Sequence, residues 1–580
     1  MDQLTRKSAG KTTAQPEKLF DLSLIFLLLA LALVVVNPIG NFPLNDDWSY
    51  ARTTFDFVRT LNFMPLGWVS MPLISNVLWG GLFVKLFGAS FTVLRFSTLI
   101  ASGIGLVGIY MLAHALEVRR TVRVGLTLTL AFNPLFFALS NTYMTDAVFT
   151  VLIIWASFAF TLSLQSQNSF GYWFGILLSV LAVLSRQLGL AIPIAFTVAQ
   201  IYKSGFKRYN LARALLPPLA GVACLLVFQV WLRETGRLPS LYYDADGRLL
   251  YSLSHAKILL ENTIAYSTSA CLYLGLFLSP LFLLGVTTKI ERGIPRGIIL
   301  IVLLAVLAAW YLLRHKILMP LGGDVIIEQG IGPLALRDIL FLHLRHVPSI
   351  GWPFWLLVTI LSIFAASELI RQLLGLFQTL LRQRWPLESN ANATPVVFLL
   401  VAAFIQVPPL VAVGYIDRYL LPLVPLLAVS LAAGAALAPP VQRSARPART
   451  RVAAGLLVAF AGVLYATMGT KDYLEWNRVR WHALHWLESK RGVGPAAIDG
   501  GFEYNGLFLY DPNYKALPGR SWWWVHGDKY EIAFGAVPGY RVLRTFSYRR
   551  YLPPRVGKIE ILEATRKSDN GSATRLPEVK

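Results

Sequence analysis

Charge is scarce in this chain. Of its 580 residues only 14% are Asp, Glu, Lys or Arg, where soluble domains carry about 25%, and 55% are hydrophobic. That balance excludes a water-soluble globular protein. Acid is scarcer still: 31 Asp and Glu stand against 53 Lys and Arg, a net charge of +22. There are two cysteines, Cys224 and Cys271, both inside apolar runs. They exclude a disulfide framework and do not make a metal site. His482 and His485 lie three apart, but two histidines without a third ligand are weak grounds for zinc. Much of the positive excess sits in short loops between apolar runs, where orientation signals belong, which argues against nucleic acid as a partner.

What the chain has in quantity is long apolar runs. A bilayer span needs roughly 20 mostly apolar residues. The sequence predicts about thirteen such spans, near residues 19–37, 92–116, 122–140, 146–165, 170–186, 188–202, 212–232, 263–287, 296–313, 351–375, 395–415, 418–438 and 452–469. No small-residue cleavage site follows the first run, so it reads as a retained helix. Gly103, Gly105 and Gly108 spell GxGxxG inside the second run. With no strand before it, the pattern reads as close helix packing, not a dinucleotide loop.

With thirteen spans the basic loops all fall on one side. They hold Arg6, Lys7, Lys11 and Lys18; Arg119, Arg120 and Arg123; Lys203, Lys207, Arg208 and Arg213; Lys289, Arg292 and Arg296; Arg371, Arg382 and Arg384; and Arg443, Arg446, Arg449 and Arg451. The positive-inside rule makes that side cytoplasmic. The long loops 38–91, 233–262 and 314–350 then lie outside, with the tail. The expected organisation is a cytoplasmic tail over 1–18, a membrane domain over 19–469, a small extracytoplasmic α/β domain over 470–565 and a disordered end over 566–580.

The first outer loop opens with two adjacent carboxylates, Asp46 and Asp47. The stretch YARTTFDFVRTL follows. At 100° per residue it gathers Tyr50, Thr54, Phe57, Val58 and Leu61 on one face, with Arg52, Asp56 and Arg59 opposite. That is the pattern of a helix lying in the membrane interface. MPLISNVLWGGLFVKLFG is short and polar for a span and reads as a second interfacial or re-entrant helix. Asp146 stands at the outer start of the fourth span. Two readings stay open for these acids. Asn45 or Asp46 caps a helix and Asp47 complements its dipole, while Asp146, with Thr145, caps its own; or carboxylates beside a membrane carry chemistry.

These residues resemble the GT-C glycosyltransferases, in particular the branch of the lipid A aminoarabinose transferase and the protein O-mannosyltransferases. The family's first outer loop opens with two acids, a Tyr-Ala and a surface helix; here it reads DDWSYA. The Pro-containing segment and the apolar helix ending in Phe-Gly read MPLISNVLWGGLFVKLFG, and the Arg that follows is Arg95. The second acidic position matches Asp146. The late Arg-Tyr-x-x-Pro-x-x-Pro pattern matches RYLLPLVP, from Arg418 to Pro425. In two places the chain departs: Asp47 stands where Glu is common, and Met71-Pro72 where the family has Lys-Pro.

The resemblance implies an all-α polytopic fold of GT-C type with a small C-terminal α/β domain, in a plasma (inner) membrane, its site facing the periplasm. It implies transfer of a sugar, with inversion, from a polyprenyl-phosphate donor to a glycolipid, polysaccharide or protein acceptor. Asp46 would be the base; Asp47 and Asp146 would bind the acceptor or, as in some relatives, a divalent cation. The leaving lipid phosphate needs cations. Candidates are Arg186, between two short spans, Arg337, His343, Arg345 and His346 in LRDILFLHLRHVP, and Arg418. Each also has a plain structural reading: Arg186 snorkels, the 337–346 segment is an amphipathic surface helix, and Arg418 pairs with Asp417. Trp522, Trp523 and Trp524 read as an interfacial belt or a sugar platform. Asp499 and Glu503 are further acids near a turn. The rival classes are a lipid or sugar flippase, which needs charge along a path through the spans, and a non-catalytic envelope assembly protein.

Overall fold

The structure is a computed structural model that describes residues 2–565 apart from 207, 287–293, 318, 321, 383–391, 438–447, 517–519 and 522. The expected disordered end at 566–580, Trp522, and the loop cations Lys207, Lys289, Arg292, Arg384, Arg443 and Arg446 lie outside the described residues.

The chain is a mostly helical, multi-pass membrane protein. Every predicted span coincides with helix. Among the described residues nine helices are long and apolar enough to cross a membrane. The segment predicted as the third span is a tenth, if Arg120–Ala131 and Pro134–Ser140 form one crossing bent by 58°. The bend has a local cause. Pro134 cannot continue a helix, and Asn133 caps the new one, its side chain accepting from the amides of Leu135 and Phe136. The count falls short of thirteen because Ser169–Ser185, Ala191–Ser204 and Ile299–His315 are too short to pass alone.

Outward faces of the spans carry bare apolar side chains such as Leu27, Val227, Phe364 and Leu457, the surface a bilayer would cover. The interior is built around Thr145–Ser166 and Asp417–Leu437. The GxGxxG stretch packs helix on helix, as expected: a Cβ at Gly105 would come within 2.6 Å of Val151, and one at Gly108 within 3.0 Å of Ile154.

The first long loop forms both predicted helices, Asp47–Thr60 and Ile74–Phe87. Tyr50 and Thr54 of the predicted apolar face are buried, whereas Leu61, at its end, is exposed. Arg95 holds the start of the loop. Buried to 1% exposure, its guanidinium donates to the carbonyls of Pro38 at 2.7 Å, Gly40 at 3.0 Å and Phe42 at 2.9 Å. Three backbone acceptors with no secondary-structure partner are satisfied by one side chain.

The last span runs on without a break. One helix of 43 residues spans Arg449–Arg491, so a boundary at 469/470 falls inside it. The reason is amphipathicity: beyond the apolar stretch Tyr473, Trp476, Arg480, Leu484 and Leu487 recur at helical spacing and are buried. Gly492, at φ +63°, ends the helix in the left-handed conformation that glycine adopts freely.

The α/β character expected of the tail is present. Strands β1 (Ile326–Ile327) and β2 (Gly330–Ile331) form a small hairpin in the loop that follows the helix Ile294–His315. Strands β3 (Ile498–Asp499), β4 (Tyr530–Ala533), β5 (Tyr540–Tyr551) and β6 (Pro554–Ala564) form one sheet in the order β3-β4-β6-β5. The β3–β4 pair is parallel and the other pairs are antiparallel.

A buried ion pair ties this part to the first loop. Arg480 and Glu503, both fully buried, approach to 2.7 Å. The other oxygen of Glu503 accepts the backbone N–H of Asn45 at 3.2 Å. Replacing Glu503 with Ala leaves a buried cation unpaired, so we expect a loss of about 3–5 kcal/mol, seen as a lowered Tm of the protein in nanodiscs.

Candidate active site

The acidic opening is shaped by one residue out of line. Asn45 takes a left-handed backbone, φ +56°, which Asn tolerates better than most residues. The turn sends the two carboxylates in different directions. Asp47 points inward, 1% exposed. Its oxygens accept the amides of Leu44 at 2.6 Å and Tyr143 at 3.0 Å, tying the loop to the start of the fourth predicted span. Burial pushes its carboxyl up to about 7, against the pull of those two amides.

Asp46 stands at the head of the Asp47–Thr60 helix, but its side chain makes no capping bond. One oxygen accepts from Trp68 Nε1 at 2.9 Å, and the other meets Arg418 Nη2 at 3.0 Å. Asp146 makes no capping bond either, since the cap position is Met144. It pairs with Arg186 at 3.0 Å, both groups being buried. The capping reading therefore fails for Asp46 and Asp146.

Arg186 is where its neighbours suggested. It sits in extended backbone between the helix Ser169–Ser185 and the 3-10 turn Gln187–Leu190. It is buried, not snorkelling, and its Nε donates to Thr145 Oγ1 at 2.8 Å. Arg418 does not pair with its neighbour. Asp417 is spent on backbone amides: Val325 at 3.1 Å, Ile326 at 2.6 Å and Arg418 itself at 2.8 Å. The Arg418 guanidinium is left for Asp46 and for Asp324, whose Oδ2 is 3.3 Å from Nε. The ring of Tyr419 lies 5.5 Å from the Arg186 guanidinium and 5.8 Å from that of Arg418, so one aromatic ring serves both cations.

Asp324 was not legible in advance. It is a lone acid after Gly322-Gly323 in a long loop, and only the fold brings it to Arg418. Its other oxygen accepts from Asn45 Nδ2 at 3.0 Å. Burial raises its carboxyl above the usual range, against the nearby Arg418. Gly322 permits the approach, since a Cβ there would come within 2.5 Å of the Asp417 amide nitrogen.

The cluster Asp46, Asp146, Asp324, Arg186 and Arg418 is under-satisfied. Both oxygens of Asp146, Oδ2 of Asp324, Nη2 of Arg186, and Nε and Nη1 of Arg418 are buried without an aligned hydrogen bond, although several lie at ion-pair distance. Orphaned buried polar atoms are uncommon in proteins. Others are scattered through the described residues, but six fall on these charged groups, which suit an anion and a hydroxyl. The residues do not fit a divalent cation. Asp46 and Asp146 each face a guanidinium, the oxygens of Asp47 take backbone amides, and no three metal-ligating side chains converge among the described residues.

The remaining candidates are placed elsewhere. Arg337 pairs with Glu531 of β4 at 2.7 Å. His346 Nδ1 lies 2.8 Å from Asp338, which also accepts the amide of Phe534. His343 and Arg345 are exposed. The expected amphipathic helix is a single turn, Arg337–Leu340, and the segment docks on the C-terminal sheet. Trp523 and Trp524 form no belt: both are buried in an aromatic cluster with Trp48, Trp68 and Phe502. Asp499 accepts from Asn505 and Ser521, and Glu503 is the partner of Arg480. His482 packs on Phe546, and His485 lies 3.3 Å from Glu488.

Because folding raises the Asp47 carboxyl above its unfolded value of 3.8, its effect on stability is most favourable below that value and declines as pH rises towards 7. Thermal unfolding of native protein and Asp47→Asn between pH 4 and 8 tests this. The native protein should lose stability relative to the variant as pH rises through that window; a constant difference would refute it.

Residues 72–233 match the family model described as dolichyl-phosphate-mannose-protein mannosyltransferase. No curated protein matches the chain. Among solved structures it is similar to ArnT from Cupriavidus metallidurans in the apo state, at 13% identity and a TM-score of 0.35, covering 83% of each chain. The same protein bound to undecaprenyl phosphate matches at 14% identity and 0.33, covering 82% of each. Arabinofuranosyltransferase AftD from Mycobacteria matches at 11% identity and 0.38, over 95% of this chain and 40% of that one. All three are distant likenesses. Over 72–233, the stretch that supplies Asp146 and Arg186, the chain is thus similar to the dolichyl-phosphate-mannose-protein mannosyltransferases, in line with the GT-C resemblance of its first outer loop.

Proposed function

We propose that this chain is a membrane glycosyltransferase that moves a sugar from a polyprenyl-phosphate donor to an acceptor hydroxyl or amide, with inversion. The observation that carries the reading is the cluster itself: one partly open carboxylate, Asp46, on Arg418, with a second guanidinium, Arg186, reached through the shared Tyr419 ring, and unused donors on both arginines. The family match over 72–233 supports it. The excess of cations in the opposite loops argues for an extracytoplasmic site in a plasma membrane. The acceptor class is glycolipid, polysaccharide or protein.

In this reading Asp46 takes the proton of the acceptor as its oxygen or nitrogen attacks the anomeric carbon. The bond from that carbon to the phosphate oxygen breaks, and polyprenyl phosphate leaves with the electron pair. Arg418 and Arg186 face the charge that develops on that phosphate. At rest Arg418 holds Asp46 in an ion pair. A phosphate that takes up the guanidinium frees the carboxylate at the moment it is needed. Asp324 keeps Arg418 in place, Asp146 does the same for Arg186, and Asp47 fixes the loop that carries Asp46.

Transfer from labelled polyprenyl-phosphate sugars by purified protein tests the assignment. Folded Asp46→Asn should lose at least about two orders of magnitude in kcat, near 2.7 kcal/mol. Arg418→Lys should raise KM for the donor, because a point charge replaces a fork able to bind phosphate bidentately. Full activity in folded Asp46→Asn would remove Asp46 from the role of base.

A further inference from the structure

A second cavity lies outside the cluster, on the C-terminal sheet. It holds about 190 Å³ and is lined by residues including His346, Phe534, Tyr548, Arg550, Arg555 and Lys558. Its cations are not neutralised across the cavity. Arg550 is 5% exposed, and its guanidinium is satisfied by carbonyls, Gln329 at 2.8 Å, Leu552 at 2.7 Å and Pro348 at 3.4 Å. Arg550, Arg555 and Lys558 have no carboxylate at ion-pair distance among the described residues. Two acids stand behind the wall. Asp338 binds His346 and the amide of Phe534; Asp472 accepts the amides of Tyr551 and Leu552.

The walls are closely packed. Tyr548 pairs in register with Gly557 on β6, and a Cβ at Gly557 would come within 2.3 Å of the Tyr548 ring. The ring can lie flat on the strand only because position 557 has no side chain. Gly535 serves His346 in the same way, with 2.8 Å to its ring. A fixed aromatic face beside basic groups, in a space the size of one monosaccharide ring, suits a compact anionic sugar.

The geometry points to a binding site for a single acidic sugar unit, a hexuronate or a hexose phosphate, on the extracytoplasmic domain. Its place in the fold gives it a use. Arg550 holds the carbonyl of Gln329 at the turn of the β1–β2 hairpin, and Asp417 holds the amides of Val325 and Ile326 at the hairpin's other end. Asp324, the partner of Arg418, is the adjacent residue. An acidic unit of an acceptor glycan held here is joined to the cluster by one short strap of chain. That use as an acceptor subsite rests on the transferase reading; the binding itself does not.

Binding is measured on the full chain in phosphatidylcholine nanodiscs, with glucuronate, glucose 6-phosphate and neutral glucose as probes. At least one acidic probe should bind saturably, and glucose at least tenfold more weakly; the two acids distinguish carboxylate from phosphate. Arg555→Ser with Lys558→Ser, both exposed and so compatible with folding, should weaken acid-sugar binding at least tenfold at unchanged Tm. Equal affinity for glucose, an unaffected double variant, or association only with phosphatidylglycerol vesicles would overturn the proposal. The readout needs no turnover, so loss of this site and loss of transferase activity are separate results.

Discussion

Everything at the candidate site turns on a single guanidinium shared by two carboxylates. Arg418 reaches Asp46 from the first outer loop and Asp324 from a loop almost three hundred residues later. A buried arginine with one acid has a fixed partner. An arginine between two acids has a spare, and can yield one without being left uncompensated in a low-dielectric interior. The loops inherit that requirement. Asn45 must turn left-handed, Gly322 must lack a side chain, and Asp417 must be occupied elsewhere, or the guanidinium would collapse onto its own neighbour.

Around that contact the loops are held by charge as much as by apolar packing. Arg95 gathers three carbonyls at 38–42, Asp47 joins two segments through their amides, and Glu503 links the tail to Asn45. Each charge meets backbone groups that no helix or strand satisfies. The acids and bases next to the site thus divide into two kinds. Those whose main partners are backbone groups hold the scaffold; those that face one another across the loops form the cluster.

Much of the scaffold was readable because periodicity and span length are local. The two helices of the first loop, the spans and the tight packing at Gly105 follow from spacing alone. The prominence of Asp46, Asp146 and Arg418 as candidates came from the GT-C resemblance, and that of Arg186 from its place between two short spans. What could not be read was partnership. Asp417 beside Arg418 looks like an ion pair in sequence, yet the backbone of residues 325 and 326 takes it first. Arg337 and His346 look like phosphate ligands, and strand β4 and Asp338 take them. Asp324 has no local pattern at all. Helical amphipathicity was also missed where it crossed from an apolar to an aqueous setting, which is why the helix ending at Arg491 was divided at 469.

That unbroken helix has a mechanical meaning. At 1.5 Å per residue a rod of 43 residues is about 65 Å long, about twice the hydrocarbon thickness of a bilayer. Its lower half is gripped by lipid, and its upper half carries Arg480, one bond from Glu503 and two from Asn45. A stiff member anchored in one medium and fastened in another acts as a lever. It joins the apolar stretch, through a buried ion pair and one backbone hydrogen bond, to the turn that carries Asp46.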